Sequence, residues 1–302
     1  MEGKIRVDNI LPDKVDIRDY FYKSSGKALP SKFNLREFTG DIEDQLQTGS
    51  CVANATVSGL EMLKAKDGVI EDYSRLFLYY NLREPYEDLK GKDIGSHLRD
   101  GFKSVSKLGI CLENEWEFNP SKIHERPDES CYESAKKRLV TRYERINIYN
   151  DSFLDKELDS IEDIKDAVYN GFAVTISCNV GRSLYNIRAN IKDHNYLGVN
   201  GDSVGGHAML VIGWDDELGG LIVENSWGKA WGDNGEFLFK YGIFLKDAND
   251  VWVCTEFDKK EIVEPEQPVN PVREITEEDK KDKTNYVIVG LLVAIFAIYM
   301  FA

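Results

Sequence analysis

Four residues of this sequence have the types and surroundings that acyl-transfer chemistry needs: Cys51, His207, Asn225 and Gln45. Cys51 follows QLQTGS and opens a stretch with apolar residues at helical spacing. Its sulfur is therefore expected at a helix N-terminus, where the dipole and unpaired backbone N–H groups favour the reactive thiolate. A lone thiol is also an ordinary small buried apolar group, so Cys51 needs a partner before it means anything. The chain offers four histidines as proton acceptors. His97 (GSHLRDG), His124 (KIHERPD) and His194 (KDHNYLG) read as surface or loop residues. His207 differs, standing in GGHAMLVIGW directly after two glycines that let another segment or a substrate come close.

The segments AMLVIGW (208–214) and LIVEN (221–225) flank the polar turn DDELGG and read as a hairpin. A turn centred near Asp216 would set His207 opposite Asn225. An amide oxygen there would fix the tautomer and orientation of the imidazole. Gln45, six positions before Cys51, has a side-chain NH2 suited to an oxyanion hole together with the Cys51 backbone N–H.

The elements that must position these groups are legible in outline. Residues 51–67 read as a helix through Val52, Ala55, Leu60 and Leu63, with Ser50 as N-cap and Gly68 as the stop. Ser74 opens a second helix, SRLFLYYNLR, and Ser96 a third that carries Leu98, Phe102, Val105 and Leu108 and ends at Gly109. Ser160 with Asp163 reads as a capping box before IEDIKDAVYNG, which runs into the strand FAVTISC. The front half is thus helical and the back half β, an α+β fold.

Gln45 followed by GSC, then GGHAMLVIGW, then ENSWGKAWGDNG resembles the three motif blocks of papain-like cysteine peptidases, in the family's order. The last block is the most specific: Asn225-Ser226-Trp227-Gly228 continues to Trp231-Gly232 and Gly235. The resemblance spans Leu29 to about Phe257 and implies a two-lobe fold with the site in the cleft. It implies Cys51 as nucleophile, His207 as general base and acid, Asn225 as orienting amide and Gln45 as oxyanion donor. Trp227 would shield the His–Asn bond from water. The implied reaction needs neither metal nor organic cofactor and acts on a polypeptide substrate. Val52 stands where the family usually has Trp, in the string GSCVANA, which resembles a bacterial and viral branch. Thr48 takes the place of a disulfide cysteine of secreted members. Only about 28 residues precede LPSKFNLRE, which resembles the family's mature start, too few for a full inhibitory propeptide. Control by this short N-terminal segment, by localisation or by partners is expected instead.

The bulk properties bound the rest. Net charge −15 over 302 residues excludes nucleic acid as the main partner, because phosphate binding needs clustered Lys and Arg. Five widely spaced cysteines and an N-terminus without an apolar run fit a reducing compartment. From Tyr286 to Ala302 the chain is apolar and uncharged, roughly 25 Å as a helix. Lys280, Lys281 and Lys283 precede it and no basic residue follows, so the positive-inside rule puts the large N-terminal part in the cytosol. The expected organisation is a short N-terminal segment (1–28), a peptidase domain (29–257), a charged Pro-containing linker (258–284) and a transmembrane tail anchor (285–302), in a viral or bacterial membrane. The alternative is a catalytically inactive, membrane-tethered binding protein of the same fold.

Overall fold

The computed structural model describes residues 10, 12–14, 16–146, 159–188, 190–191 and 196–258. The chain divides into two units, residues 1–260 and 261–302. The second unit, and with it the expected tail anchor and nearly all of the expected linker, lies outside the described residues. Among the described residues no helix is long and apolar enough to cross a membrane.

The helical half forms around α1 (Cys51–Lys66), whose first eight residues are all buried. Small residues (Ala53, Ala55, Ser58, Gly59) let neighbouring elements approach α1 closely, so it becomes the central helix rather than a surface one. α2 (Arg75–Arg83) starts as its sequence indicates: the Ser74 hydroxyl accepts from the Phe77 N–H at 3.0 Å. α3 (Leu98–Leu108) begins one residue later than the Ser96 reading placed it, with His97 rather than Ser96 at the cap position. It ends at Gly109, whose φ of 75° is the left-handed conformation glycine tolerates. Ser50 occupies the cap position of α1 without making a side-chain cap bond. α4 (Glu129–Ala135) completes this lobe.

The other lobe is an antiparallel sheet of β2 (Val140–Arg145), β7 (Ala248–Phe257), β3 (Val174–Gly181), β4 (Ser203–Asp215), β5 (Gly220–Glu224) and β6 (Glu236–Lys240), in that spatial order. A short β1 (Lys32–Asn34) pairs with β4. α5 (Asp159–Tyr169) and α6 (Tyr241–Asp247) lend Ile161, Ile164, Val168 and Phe244 to the core of this lobe, around Trp214 and Phe237. A second core gathers α1, α2 and α3 with Trp252 and Ala208 from the sheet. The expected two-lobe architecture is therefore present, with α1 packed against β4 where the lobes meet.

The hairpin register differs from the sequence reading. Leu210 pairs with Glu224 and Asp215 with Gly220, so the turn centres between residues 217 and 218, and a bulge interrupts the ladder between Val211 and Gly213. The extra residue of the bulge and the longer β4 shift the pairing by two to three positions. His207 and Asn225 are not cross-strand partners.

The described residues before β1, from Ile10 onward, form an arm along the domain. Phe21 bridges Arg145 in parallel, and Tyr22 N–H donates to the Arg145 carbonyl at 2.9 Å, so the arm covers the edge strand β2. Further upstream, Asp13 is buried and accepts from the Trp252 Nε1–H at 2.8 Å and from the Arg99 N–H at 3.1 Å.

Candidate active site

The structure places Cys51 at the first turn of α1, fully buried. The loop leading to it is held by a chain of polar contacts. Thr48 Oγ1 and Ser50 Oγ lie 2.7 Å apart, and Asn54 Nδ2 donates to both the Ser50 carbonyl and its hydroxyl at 2.9 Å. Arg75 donates to Asn54 Oδ1 at 3.1 Å, pairs with Glu43 at 2.7 Å and lies over the Phe118 ring. The sequence alone does not reveal this brace. Asn54 reads as an ordinary polar residue inside a helix, and only its i−4 bond back to residue 50 hints at the role.

Gln45 is buried with both ends of its amide engaged. Its Nε2 donates to the Thr48 carbonyl at 2.9 Å, and its Oε1 accepts from Ser226 Oγ at 2.7 Å. That assignment directs the NH2 toward the nucleophile loop and leaves one N–H for another acceptor. Backbone bonds from Gln45 N to Ser226 O (2.9 Å) and from Gly228 N to Glu43 O (2.8 Å) tie this loop to the one carrying Asn225.

His207 lies on β4 and is fully buried. Its Nε2 is 2.7 Å from Asn225 Oδ1, which also accepts from the Ser226 N–H at 2.9 Å. Two donors on Oδ1 fix the amide orientation, and the tautomer that donates from Nε2 leaves the Nδ1 lone pair for proton exchange. Nδ1 is buried without a hydrogen-bond partner. Trp227 stacks on the imidazole with centroids 5.0 Å apart, and Tyr185 stacks on the far side of Trp227 at 5.5 Å. The indole thus covers the imidazole that makes the bond to Asn225. Burial pushes the imidazolium down to about 4, against the opposing effect of the Asn225 bond. In this covered state the ring is neutral at pH 7.

The cover is the N-terminal arm. A Cβ added at Gly206 would stand 2.8 Å from Ile10 N and 2.9 Å from Ile10 O, so the arm's backbone lies directly on the residue before His207. Ile10 is itself buried, in the same apolar cluster as Cys51 and Ala208. The close approach that the two glycines permit is thus taken up by the chain's own N-terminal segment.

The other histidines stand elsewhere: His97 occupies the cap position of α3, its Nδ1 3.8 Å from Asp13 Oδ1, His124 is exposed, and His194 lies outside the described residues. All five cysteines are buried thiols. Among the described residues no group of three or more His, Cys, Asp or Glu side chains is placed to hold a metal ion.

A helical lobe and an antiparallel sheet meeting at a buried thiol and a shielded His–Asn pair define a cysteine peptidase. The chain belongs to the papain family of cysteine proteases, whose profile matches residues 29–249. It is 33% identical over 272 residues to a peptidase C1-like protein of Acanthamoeba polyphaga mimivirus, covering 81% of this chain and 84% of that one. Among solved structures it resembles xylellain, a cysteine protease from Xylella fastidiosa, with a TM-score of 0.68 and 28% identity over 82% of this chain and 97% of that one. A cathepsin B-like cysteine proteinase of Schistosoma japonicum is 25% identical over 69% of this chain and 68% of its own length.

Proposed function

We propose that Cys51 is the nucleophile of this peptidase, His207 its general base and acid, Asn225 the residue that orients the imidazole, and Gln45 an oxyanion donor. The observation that carries the reading is the 2.7 Å His207–Asn225 bond under Trp227. The Cys51 thiol gives its proton to His207 Nδ1, and the thiolate adds to a peptide carbonyl carbon. The carbonyl oxygen becomes an oxyanion held by the Cys51 N–H and the remaining Gln45 N–H. His207 returns the proton to the leaving amine, the C–N bond breaks and a thioester remains. Water, deprotonated by the same ring, hydrolyses the thioester and frees the acid and the thiol. The substrate is a polypeptide. Turnover of a fluorogenic peptide by the full chain tests these roles: Cys51→Ala and His207→Ala should each abolish it, and wild-type rates in either variant would refute the assignment.

The buried site and the position of Ile10 favour a second statement about the same chemistry. The N-terminal arm holds the enzyme in a covered state, and substrate enters only when the arm lifts from Gly206. We read residues 285–302 as a membrane anchor and residues 258–284 as its tether, with the peptidase domain in the cytosol. The support is the uncharged apolar run behind Lys280, Lys281 and Lys283. Alkaline extraction of membranes from cells expressing the full chain, or the chain without residues 285–302, tests this. Loss of the truncated chain to the soluble fraction is expected, and equal retention of both would rule the anchor out.

A further inference from the structure

Glu224 ends β5 one residue before Asn225 and is 5% exposed. A carboxyl at such a depth normally has a cationic partner. The charges acting on Glu224 are instead acidic: Glu236, its cross-strand neighbour on β6, and Glu43. Each of those has its own cation, Arg36 for Glu236 and Arg75 for Glu43. Ser58 on α1 supplies one hydrogen bond, and Glu224 Oε2 is buried with no partner in the protein.

Between α1 and the β4–β5 ribbon lies a cavity of about 10 Å³, lined by Asn54, Ser58, Leu210, Glu224 and Asn225 among others. That is room for one water molecule, and a buried water persists where polar groups converge on it. The second unpartnered atom among these residues is Asn225 Nδ2, the other end of the amide whose oxygen binds His207.

We propose that Glu224 is a positioning residue for the peptidase reaction: through a single water in this cavity it takes up the Asn225 NH2 and so holds the amide oxygen on His207. This rests on the assignment of Asn225 given above. A reversed amide would set Nδ2 against the His207 Nε2–H, donor facing donor, and an acceptor behind Nδ2 removes that alternative. The carboxyl offers this acceptor in either protonation state.

Its charge adds a second effect. Burial and the acidic neighbours push the Glu224 carboxyl up to about 8, so it is neutral at about pH 6 and ionised in the alkaline range. A negative charge behind Asn225 favours the imidazolium and extends the alkaline side of the activity profile. The acidic side is reached with Glu224 neutral and does not move.

The test uses the full chain as wild type, Glu224→Gln and Glu224→Ala, with kcat and KM for one fluorogenic peptide measured against pH. Rates are counted per Cys51 titrated by a peptidyl epoxide, so a wrong nucleophile assignment shows as an untitratable wild type, separate from the outcome for Glu224. At about pH 6, Glu224→Gln should match wild type, while Glu224→Ala loses about tenfold in kcat at unchanged KM. The basic limb of Glu224→Gln should fall by about one pH unit with its acidic limb unmoved. Wild-type kcat in Glu224→Ala, or equal losses in both variants at about pH 6, would overturn the positioning role. Superimposable profiles of wild type and Glu224→Gln would overturn the charge effect, and that comparison decides alone if Glu224→Ala fails to fold.

Discussion

His207 Nε2 stands 2.7 Å from Asn225 Oδ1 although the hairpin that carries the two residues does not pair them. β5 ends at Glu224, and the Asn225 N–H turns to the Gly235 carbonyl at 2.9 Å. The bond is therefore made by a loop that folds back from the sheet end. Trp227 and Ser226 of that loop supply the shield and the second donor on the amide oxygen.

Removing the Asn225 amide leaves the imidazole free to rotate and to change tautomer. Asn225→Ala is expected to lower kcat by about a hundredfold with little change in KM, since the amide acts on the catalytic group rather than on substrate. Steady-state kinetics on a fluorogenic peptide checks this. A rise in KM at constant kcat would show that Asn225 serves binding instead.

Trp227 is held between His207 and Tyr185, with Trp231 edge-on at 5.2 Å. Trp227→Ala opens the His–Asn bond to water and removes a large core ring, costing about 3–5 kcal/mol of stability and at least about tenfold in kcat. Trp227→Phe keeps a ring over the imidazole and should recover most of the activity. Thermal melts together with kcat separate the two effects.

The arm's hold on the cleft should depend on pH through Asp13. Its carboxyl is pushed up to about 6 from the ordinary 3.8, chiefly by burial and then by Asp250, with Trp252 and Arg99 opposing. Asp250 lies against the Asp13 N–H at 2.8 Å and pairs with Arg145, while His97 faces Asp13 from the start of α3. With a docked value above the free one, the docked arm takes up a proton as pH falls from about 6 toward 4. Docking is therefore tighter in acid and weaker above about pH 6. Asp13→Asn mimics the protonated form and should stay covered throughout. The wild-type rate of epoxide labelling at Cys51, divided by that of Asp13→Asn, should approach one below about pH 4, rise between about pH 4 and 6, and level off above that. A ratio that does not change with pH would contradict the arm's proton linkage.

The brace under the nucleophile loop predicts a stability effect. Arg75 and Glu43 are mostly buried and 2.7 Å apart, and Arg75 also holds Asn54. Arg75→Met would leave Glu43 buried and unpaired, at a cost of about 3–5 kcal/mol. Replacing both Arg75 and Glu43 by apolar residues should restore part of that. Urea unfolding of the single and double variants measures the difference.

What the sequence revealed follows the range of the interactions involved. The Cys51 helix, the Ser74 cap and the strand pattern around His207 rest on local propensity and periodicity, and the structure has them where they were expected. The hairpin register departs from the sequence pattern because the bulge near Ile212 adds a residue without any local mark. The contacts of the N-terminal arm do not show in the sequence for another reason. Ile10 and Asp13 lie in a charged, non-periodic segment, and their partners are Gly206, Asp250 and Trp252, some two hundred residues away. Glu224 reads as the polar end of LIVEN, and nothing short of three dimensions shows that a carboxyl is buried there.

The most direct test of the central claim is intact-protein mass spectrometry of the full chain after treatment with a peptidyl epoxide, with the adduct mapped by digestion. The account predicts a single adduct on Cys51 in wild type and strongly slowed labelling in His207→Ala, with Cys111, Cys131, Cys178 and Cys254 unmodified. Labelling of another cysteine, or an equal rate at Cys51 without His207, would contradict it.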